Sequence, residues 1–203
     1  MPRIRAESIA AHKEQTRRQI LDAAGELFVE FGYSDTALAD IAADVGVGRT
    51  TLYEYFPDKE EILLALVEDT IPGFIDRIIT GLPAGTTHRE RLGELLVASL
   101  LFVSDESNVG TMVMREVPKL SPEAQARVRS SHQRLEAEIV AECAAGVEAG
   151  EFRDLDPEWA GRIAGEMVMS AARTLLRDSD PKQRVHEVAE SLLSMLFDGL
   201  ATR

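Results

Sequence analysis

The sequence predicts an all-α protein of about nine helices, with a three-helix head at the N-terminus and a larger helical body behind it. Three observations lead to this prediction. Of the 203 residues, 45% are apolar but only 5% are aromatic, and the good helix formers Ala, Leu, Glu and Arg dominate. Apolar residues recur at helical spacing, and no alternating strand pattern occurs. Residues that cap or end helices separate these segments.

Three predicted helices follow one another closely at the N-terminus, the first over 16–31. The apolar residues of the first lie on one face: Ile20, Ala24, Leu27, Phe28 and Phe31. Gly32 is suited to end this helix, and the polar residues 34–36 offer side chains that can cap the next. Gly46 allows a tight turn, and Pro57 ends the helix predicted over 48–55. We therefore expect a helix-turn-helix, in which one helix holds another in the DNA major groove.

Capping residues also predict the helices of the body. Asp58, with Glu61 three residues on, starts a helix to about Thr80 that bends at Pro72-Gly73, and a loop follows over 81–85. Further helices are expected over 88–104, 109–117, 122–149, 157–177 and 181–200, the last three opened by Ser121-Pro122, Asp156-Pro157 and Asp180-Pro181. The expected division is a DNA-binding domain over 1–60 and a ligand-binding and dimerisation domain over 61–203.

The charge distribution bears on whether the chain can bind nucleic acid. A net charge of −13 is typical of a protein without a DNA partner, because acidic proteins repel phosphate. The charge is uneven, however: residues 1–20 carry five basic and two acidic side chains, whereas residues 61–203 carry 15 basic and 24 acidic ones. Salt screens charges beyond about 8–10 Å. The local charge of a contact face therefore decides binding, and DNA remains a possible partner.

Several classes of protein are excluded by motifs that the sequence lacks. No apolar run reaches the roughly 18 residues needed to span a membrane, and no apolar segment follows Arg3 and Arg5 as in a secretion signal. The lone Cys143 suits a reducing cytoplasm, where we expect the protein to act. No metal-binding histidine motif, Gly-rich phosphate loop or Gly-x-Ser-x-Gly occurs. We therefore expect no enzyme, no catalytic residue, no metal and no cofactor.

Three groups of residues in the head have a distinctive order and spacing. They are Thr16-Arg17-x-x-Ile20-Leu21-x-x-Ala24-x-x-Leu27-Phe28-x-x-x-Gly32, then Ile41-Ala42-x-x-x-Gly46-Val47, then Leu52-Tyr53-x-Tyr55-Phe56-x-x-Lys59. Over about residues 16–67 the head thereby resembles the DNA-binding domain of the TetR family of bacterial regulators. The chain length and the helical body are also similar to that family. The resemblance implies a homodimeric transcriptional repressor that a small-molecule effector releases from a palindromic double-stranded DNA operator.

The helix over 48–55 has the residue types of a recognition helix. Leu52 and Phe56 point together into the core of the head, while Thr50, Tyr53 and Glu54 point the opposite way. Arg49 and Thr51 lie on the flanks. Arg49 can donate two hydrogen bonds to guanine, and threonine can hydrogen-bond a base or contact a thymine methyl group. We interpret this outward face as the surface that reads DNA.

The residues and the resemblance together predict ten DNA contacts. They are Thr16, Arg17, Thr36, Gly48, Arg49, Thr50, Thr51, Tyr53, Tyr55 and Lys59. The tyrosines suit phosphate contacts, although Tyr55 could equally be a core aromatic residue, and Lys59 adds a cation near free backbone N–H groups. Two positions depart from the family pattern. Ala39 stands where a polar contact residue is frequent, and the acidic Glu54 lies on the outward face.

Apolar stripes on the last two helices predict an interface. They consist of Ala160, Ile163, Ala164, Met167, Val168, Ala171 and Leu175, and of Val185, Val188, Ala189, Leu192, Leu193 and Leu196. Gly161 and Gly165 would let helices approach closely. Because the pair resembles the dimer-forming helices of the family, we expect a homodimer through 157–177 and 181–200. The alternative is that both stripes face the core of their own subunit.

The body is expected to bind an apolar or amphipathic small molecule, because methionines and large apolar residues often line adaptable pockets. The candidate ligand residues are Phe74, Phe102, Met112, Met114, Trp159 and Met167. Phe74 is best placed to couple a pocket to the head, since its helix joins both parts. Ordinary core packing is the alternative for each residue. An all-helical small-molecule-binding module without DNA binding is the alternative function.

Overall fold

The computed structural model describes residues 2–83, 85–104, 109–178 and 180–198, and within these ranges it contains nine α-helices and no strand. The helices are α1 (Pro2–Phe31), α2 (Leu38–Val45), α3 (Arg49–Tyr55), α4 (Lys59–Gly81), α5 (His88–Ser104), α6 (Val109–Glu116), α7 (Pro122–Glu148), α8 (Pro157–Leu175) and α9 (Pro181–Phe197). A 3₁₀ turn, Val117–Lys119, connects α6 to α7. The all-α prediction is confirmed.

Two helices, α1 and α9, differ from the predicted boundaries by more than two residues. Helix α1 begins at Pro2 rather than near Thr16, because no glycine or proline interrupts the good helix formers between these positions. Helix α4 continues through Pro72, and the expected division between residues 60 and 61 falls in its first turn. Helix α9 ends at Phe197, and the last residue of the predicted helix, Leu200, lies outside the described residues.

Most of the predicted helix caps are present. The side chains of Asp58, Ser121, Asp156 and Asp180 each accept a hydrogen bond from a backbone N–H in the first turn of α4, α7, α8 and α9. The cap predicted for α2 is wrong. Its N-cap is Ala37, whose N–H donates to the Asp40 carboxylate at 3.0 Å, while the Thr36 hydroxyl is buried elsewhere.

The core of the head continues directly into the core of the body through α4. Ile20, Ala24 and Phe28 of α1 are buried, as the periodicity predicts. Phe31 is 56% exposed and does not join them, because α1 ends there and the chain turns away. On α4 all six residues of the segment 62–67 are buried. A helix that is apolar on every side has to be surrounded, so this segment is shared by both parts.

Helices α7 and α8 approach closely at Gly161. A Cβ atom at this position would lie 2.7 Å from Val140 Cγ2 and 2.9 Å from Val140 Cα. Gly165, one turn later, has no atom within 4 Å of the same point. The close approach predicted for these glycines is therefore made by Gly161.

We expect Gly161→Ala to destabilise the protein by about 1–3 kcal/mol, because the added methyl group overlaps with backbone atoms of α7. Gly165→Ala adds the same group in open space, where the gain in helix propensity should stabilise by about 0.5–1 kcal/mol. Urea unfolding of both variants measures the difference. Equal stabilities would contradict the close packing of α7 on α8.

Candidate nucleic-acid interface

A tight turn sets the angle between α2 and α3. Gly46 adopts φ +75°, which a side chain would strain. Its N–H donates to the Ala43 carbonyl at 3.2 Å, and the N–H of Val47 donates to the Ala42 carbonyl at 2.9 Å. These bonds satisfy the last carbonyls of α2. They also bring the chain directly to Gly48, the N-cap of α3.

Helix α3 is anchored on one side and exposed on the other. It has seven residues, too few to be stable alone, and Leu52 attaches it to the core with 1% of its surface exposed. Arg49, Thr50 and Tyr53 face solvent, as expected, together with Glu54 and the N-cap Gly48. The outward face of the folded head therefore presents one guanidinium, one hydroxyl, one phenol and one carboxylate.

Two further candidates on α3 are half-buried. Thr51 lies on the flank of the helix, and Tyr55 leans toward the core. The Nζ of Lys13 lies 5.9 Å from the centre of the Tyr55 ring, within the range of a weak cation–π contact. Lys13 is a cation beside α3 that the motif does not include, although the basic character of residues 1–20 indicated one nearby.

A hollow of about 330 Å³ lies between the start of α2 and α3. Its walls are formed by Ala37, Leu38, Ala39, Arg49, Leu52 and Tyr53. The family pattern frequently places a polar side chain at the position of Ala39, and here the methyl group leaves the space beside Arg49 open. Ala39, which departs from the family pattern, thus lines a concavity next to Arg49 and Tyr53 of α3.

Three of the predicted DNA contacts are engaged within the protein. Thr36 is 3% exposed, and its hydroxyl donates to the carbonyls of Gly32 and Leu27 at 2.8 and 3.2 Å. Thr16 is 7% exposed and donates to the His12 carbonyl. Arg17 pairs with Asp69 of α4 at 3.1 Å. The structure therefore buries the two hydroxyls expected at the DNA surface, and it directs Arg17 toward α4.

Lys59 also lies differently from its predicted place. Its ammonium donates to the backbone carbonyls of Tyr33, Ser34 and Thr36 at 2.5, 3.1 and 2.8 Å. An ammonium has three N–H donors, so these three bonds use all of them. Burial lowers the pKa of Lys59, and the nearby carboxylates of Asp35 and Glu116 oppose that shift. Lys59 holds the turn before α2 rather than extending toward solvent.

The candidate ligand residues divide between the interior and the surface. Phe74 of α4 and Phe102 of α5 stack with ring centres 3.7 Å apart. Met112 is buried, and Met114 and Met167 are half-buried. Trp159 is 63% exposed at the start of α8, so the structure separates it from the others. Helical periodicity does not by itself determine whether a large side chain near the end of a helix is buried.

A polar cluster between the head and the body was not found from the sequence. Glu60 accepts hydrogen bonds from the N–H and hydroxyl of Ser121, and Arg127 binds Glu61 and Glu68. The partners lie about sixty residues apart, and no local pattern connects them.

Among the described residues, no group of His, Cys, Asp and Glu is placed to hold a metal ion, and none of the described helices is long and apolar enough to cross a membrane.

Two family descriptions match the chain, and their ranges agree with the two parts of the fold. "Bacterial regulatory proteins, tetR family" matches residues 20–66, and "Tetracyclin repressor-like, C-terminal domain" matches residues 85–200. The first range contains the turn at Gly46 and the whole of α3. The second contains α5 to α9.

Individual proteins are similar over nearly the whole chain. The fatty acid metabolism regulator protein of Bacillus subtilis is 25% identical over 186 residues, which are 90% of this chain and 94% of that protein. The transcriptional repressor LfrR of Mycolicibacterium smegmatis is 29% identical over 195 residues, or 94% and 93%. The structure of the transcriptional regulator FadR from Bacillus subtilis with stearoyl-CoA has a TM-score of 0.78 at 24% identity, covering 91% and 99%. This last likeness shows the fold.

We expect Thr36→Val to lower the free energy of unfolding by about 1–3 kcal/mol, because the buried Thr36 hydroxyl donates to the carbonyls of Leu27 and Gly32 and valine has no donor to replace it. Thr50→Val makes the same chemical change on the exposed face of α3 and should alter stability by less than about 0.5 kcal/mol. Thermal or urea unfolding of the two variants tests this. A stable Thr36→Val protein would mean that its hydroxyl is not structural.

Proposed function

Since the chain belongs to the TetR family of bacterial regulatory proteins and is therefore a DNA-binding transcriptional regulator, we propose that it is a repressor, released from a palindromic operator by a small-molecule effector. The exposed face of α3 carries this proposal. It presents Arg49, Thr50 and Tyr53 outward on a helix held by Leu52. The similarity to the repressor LfrR over 94% of this chain supports repression.

In this function α3 enters the major groove. Arg49 reads guanine through its two parallel donors, and Thr50 contacts a neighbouring base. Tyr53, with Lys13 and Tyr55 beside it, contacts the phosphate backbone and sets the position of the helix along the groove. Lys59 contributes indirectly, by holding the turn before α2.

Arg49→Ala should weaken operator binding by about 1–3 kcal/mol and relax specificity at one base pair in each half-site. Arg129→Ala removes the same charge from an exposed position in the body and should leave operator binding unchanged. Gel shifts with DNA from upstream of the gene, and with random DNA of equal length, measure both effects. An equal loss on the two DNAs would rule out base reading by Arg49. Failure of the unaltered protein to bind would favour a small-molecule-binding module without DNA.

The regulator acts as a homodimer in this proposal, because two recognition helices about 34–36 Å apart match successive major grooves. Six of the thirteen stripe residues are buried within the subunit, Ala164, Val168 and Leu192 among them. The stripe residue Ile163 is 55% exposed, and two apolar residues outside the stripes on the same helices, Trp159 and Met195, are 63% and 49% exposed. These exposed residues on α8 and α9 form the proposed contact with the second subunit.

We expect Trp159→Glu to be monomeric at micromolar concentration, because an unpaired charge would be buried in the contact. Val29→Glu places the same charge on the head, at an apolar residue that is 45% exposed, and should remain dimeric. Sedimentation equilibrium distinguishes the two. A monomeric unaltered protein would refute the proposed assembly, and a dimeric Trp159→Glu protein would place the contact elsewhere.

The effector is proposed to be an amphipathic molecule with a long apolar chain. The relative FadR is described in complex with stearoyl-CoA. In this chain the stacked rings of Phe74 and Phe102 join α4 to α5. An apolar chain that enters between them has to separate α4 from α5. The effector then favours the state whose two heads are wrongly spaced, and operator affinity falls.

Stearoyl-CoA is expected to raise the operator Kd by about 5–150-fold, and operator DNA should raise the stearoyl-CoA Kd by the same factor, because coupling between two sites is reciprocal. Coenzyme A without an acyl chain is the control and should have no effect. Fluorescence anisotropy with labelled operator and calorimetry with stearoyl-CoA measure the two sides. Tight binding of stearoyl-CoA with unchanged operator affinity would show a binding site without a switch.

A further inference from the structure

Lys59, the first residue of α4, attaches the first turn of this helix to the head. Lys59 donates to three carbonyls in the turn between α1 and α2, those of Tyr33, Ser34 and Thr36. Its Nζ also lies 4.5 Å from the centre of the Tyr33 ring. This turn leads into α2, which supports α3. The position of the recognition helix therefore depends on where α4 begins.

The next residues of the same turn are attached to the body. Glu60 accepts hydrogen bonds from the N–H of Ser121 at 3.3 Å and from its hydroxyl at 2.7 Å. Ser121 is also the N-cap of α7 and accepts from the N–H of Ala124. Arg127, on the second turn of α7, donates to Glu61 at 2.7 and 2.9 Å and to Glu68 at 2.9 and 3.0 Å. The start of α7 thus holds the start of α4 by two separate groups.

The electrostatic environment links the same elements. Burial, together with the carboxylates of Glu60, Asp58 and Glu116, raises the pKa of Tyr33 to about 12. Glu116 is the last residue of α6, and its carboxylate also acts on Lys59. The ends of α1, α6 and α7 therefore meet around one turn of α4. Successive residues on a helix point about 100° apart, which lets Lys59 and Glu60 face different neighbours.

We propose that Lys59, Glu60 and Arg127 are positioning residues that connect the start of α7 to the turn before α2, and through it fix the orientation of the recognition helix. A shift of α7 along α4 moves the first turn of α4, and Lys59 carries the three carbonyls with it. The effect on DNA binding rests on the proposed function, but the mechanical connection does not. None of these side chains has to touch DNA for its loss to change operator binding.

Hydrogen exchange in the full-length chain tests the connection. Arg127→Met removes the ionic link between α7 and α4, far along the chain from the head. Arg134→Met is the matched control, because Arg134 also links α7 to α4, through Asp76, about two helical turns further from the junction. We expect Arg127→Met to raise exchange at the amides of Thr36 and Leu52 by at least about threefold. Arg134→Met should leave both amides unchanged.

A double-variant cycle tests whether the two sides act as one unit. Lys59→Met should raise exchange at the Thr36 amide, and Lys59→Met with Arg127→Met should raise it by less than the product of the two single effects, because both break the same connection. If Lys59→Met does not fold, Glu60→Ala takes its place in the cycle. Independent effects, or an Arg127→Met effect confined to α4 and α7, would overturn the proposal.

Operator binding is a second measurement, which tests whether the connection controls the recognition helix. Arg127→Met should raise the operator Kd by about threefold or more, in line with the same opening, and Arg134→Met should not change it. An unchanged Kd in Arg127→Met, beside an unaltered protein that binds, would overturn the proposed control of the recognition helix. If the unaltered protein binds no operator, the proposed function fails, while the exchange measurements still decide the connection.

Discussion

The buried segment 62–67 of α4 is the constraint on which the rest of the fold depends. All six of its side chains are removed from water, so helices of the head and of the body have to surround it together. A head with its own separate core could turn freely on a linker, since few contacts would cross the boundary. Here the two parts share one core. The direction of α4 therefore sets the direction of the head.

This shared core explains how so short a recognition helix is ordered. Seven residues do not form a stable helix in water, and α3 depends on Leu52, on Phe56 beyond its end and on the turn at Gly46. Leu52 and Phe56 lie on the side away from solvent. The outward side chains consequently do not stabilise the fold. Substituting them can change which DNA sequence is read without changing the fold. Arg49 and Thr50 are in this position, whereas Thr36 is not.

The acidic composition of the chain is compatible with DNA binding because its charges are separated in space. Many carboxylates are engaged in contacts between helices, as Glu60, Glu61 and Asp69 are. Arg17 is engaged in the same way, which leaves Arg49 on α3 and Lys13 beside it as cations near the outward face. Charge near the contact governs attraction to phosphate, since salt screens the remainder within about 8–10 Å.

The sequence by itself determined the helices, most of their caps, the turn at Gly46 and the outward residues of α3, because each depends on side chains within a few positions of one another. It also indicated that Gly161 and Gly165 allow a close approach, but only the packing against Val140 showed that Gly161 alone makes it. The tertiary structure alone buried Thr36, directed the ammonium of Lys59 to backbone carbonyls of the head and placed Trp159 at the surface. It alone brought Glu60 to Ser121, 61 residues away. Such placements follow from how helices pack, and neither periodicity nor capping contains that information.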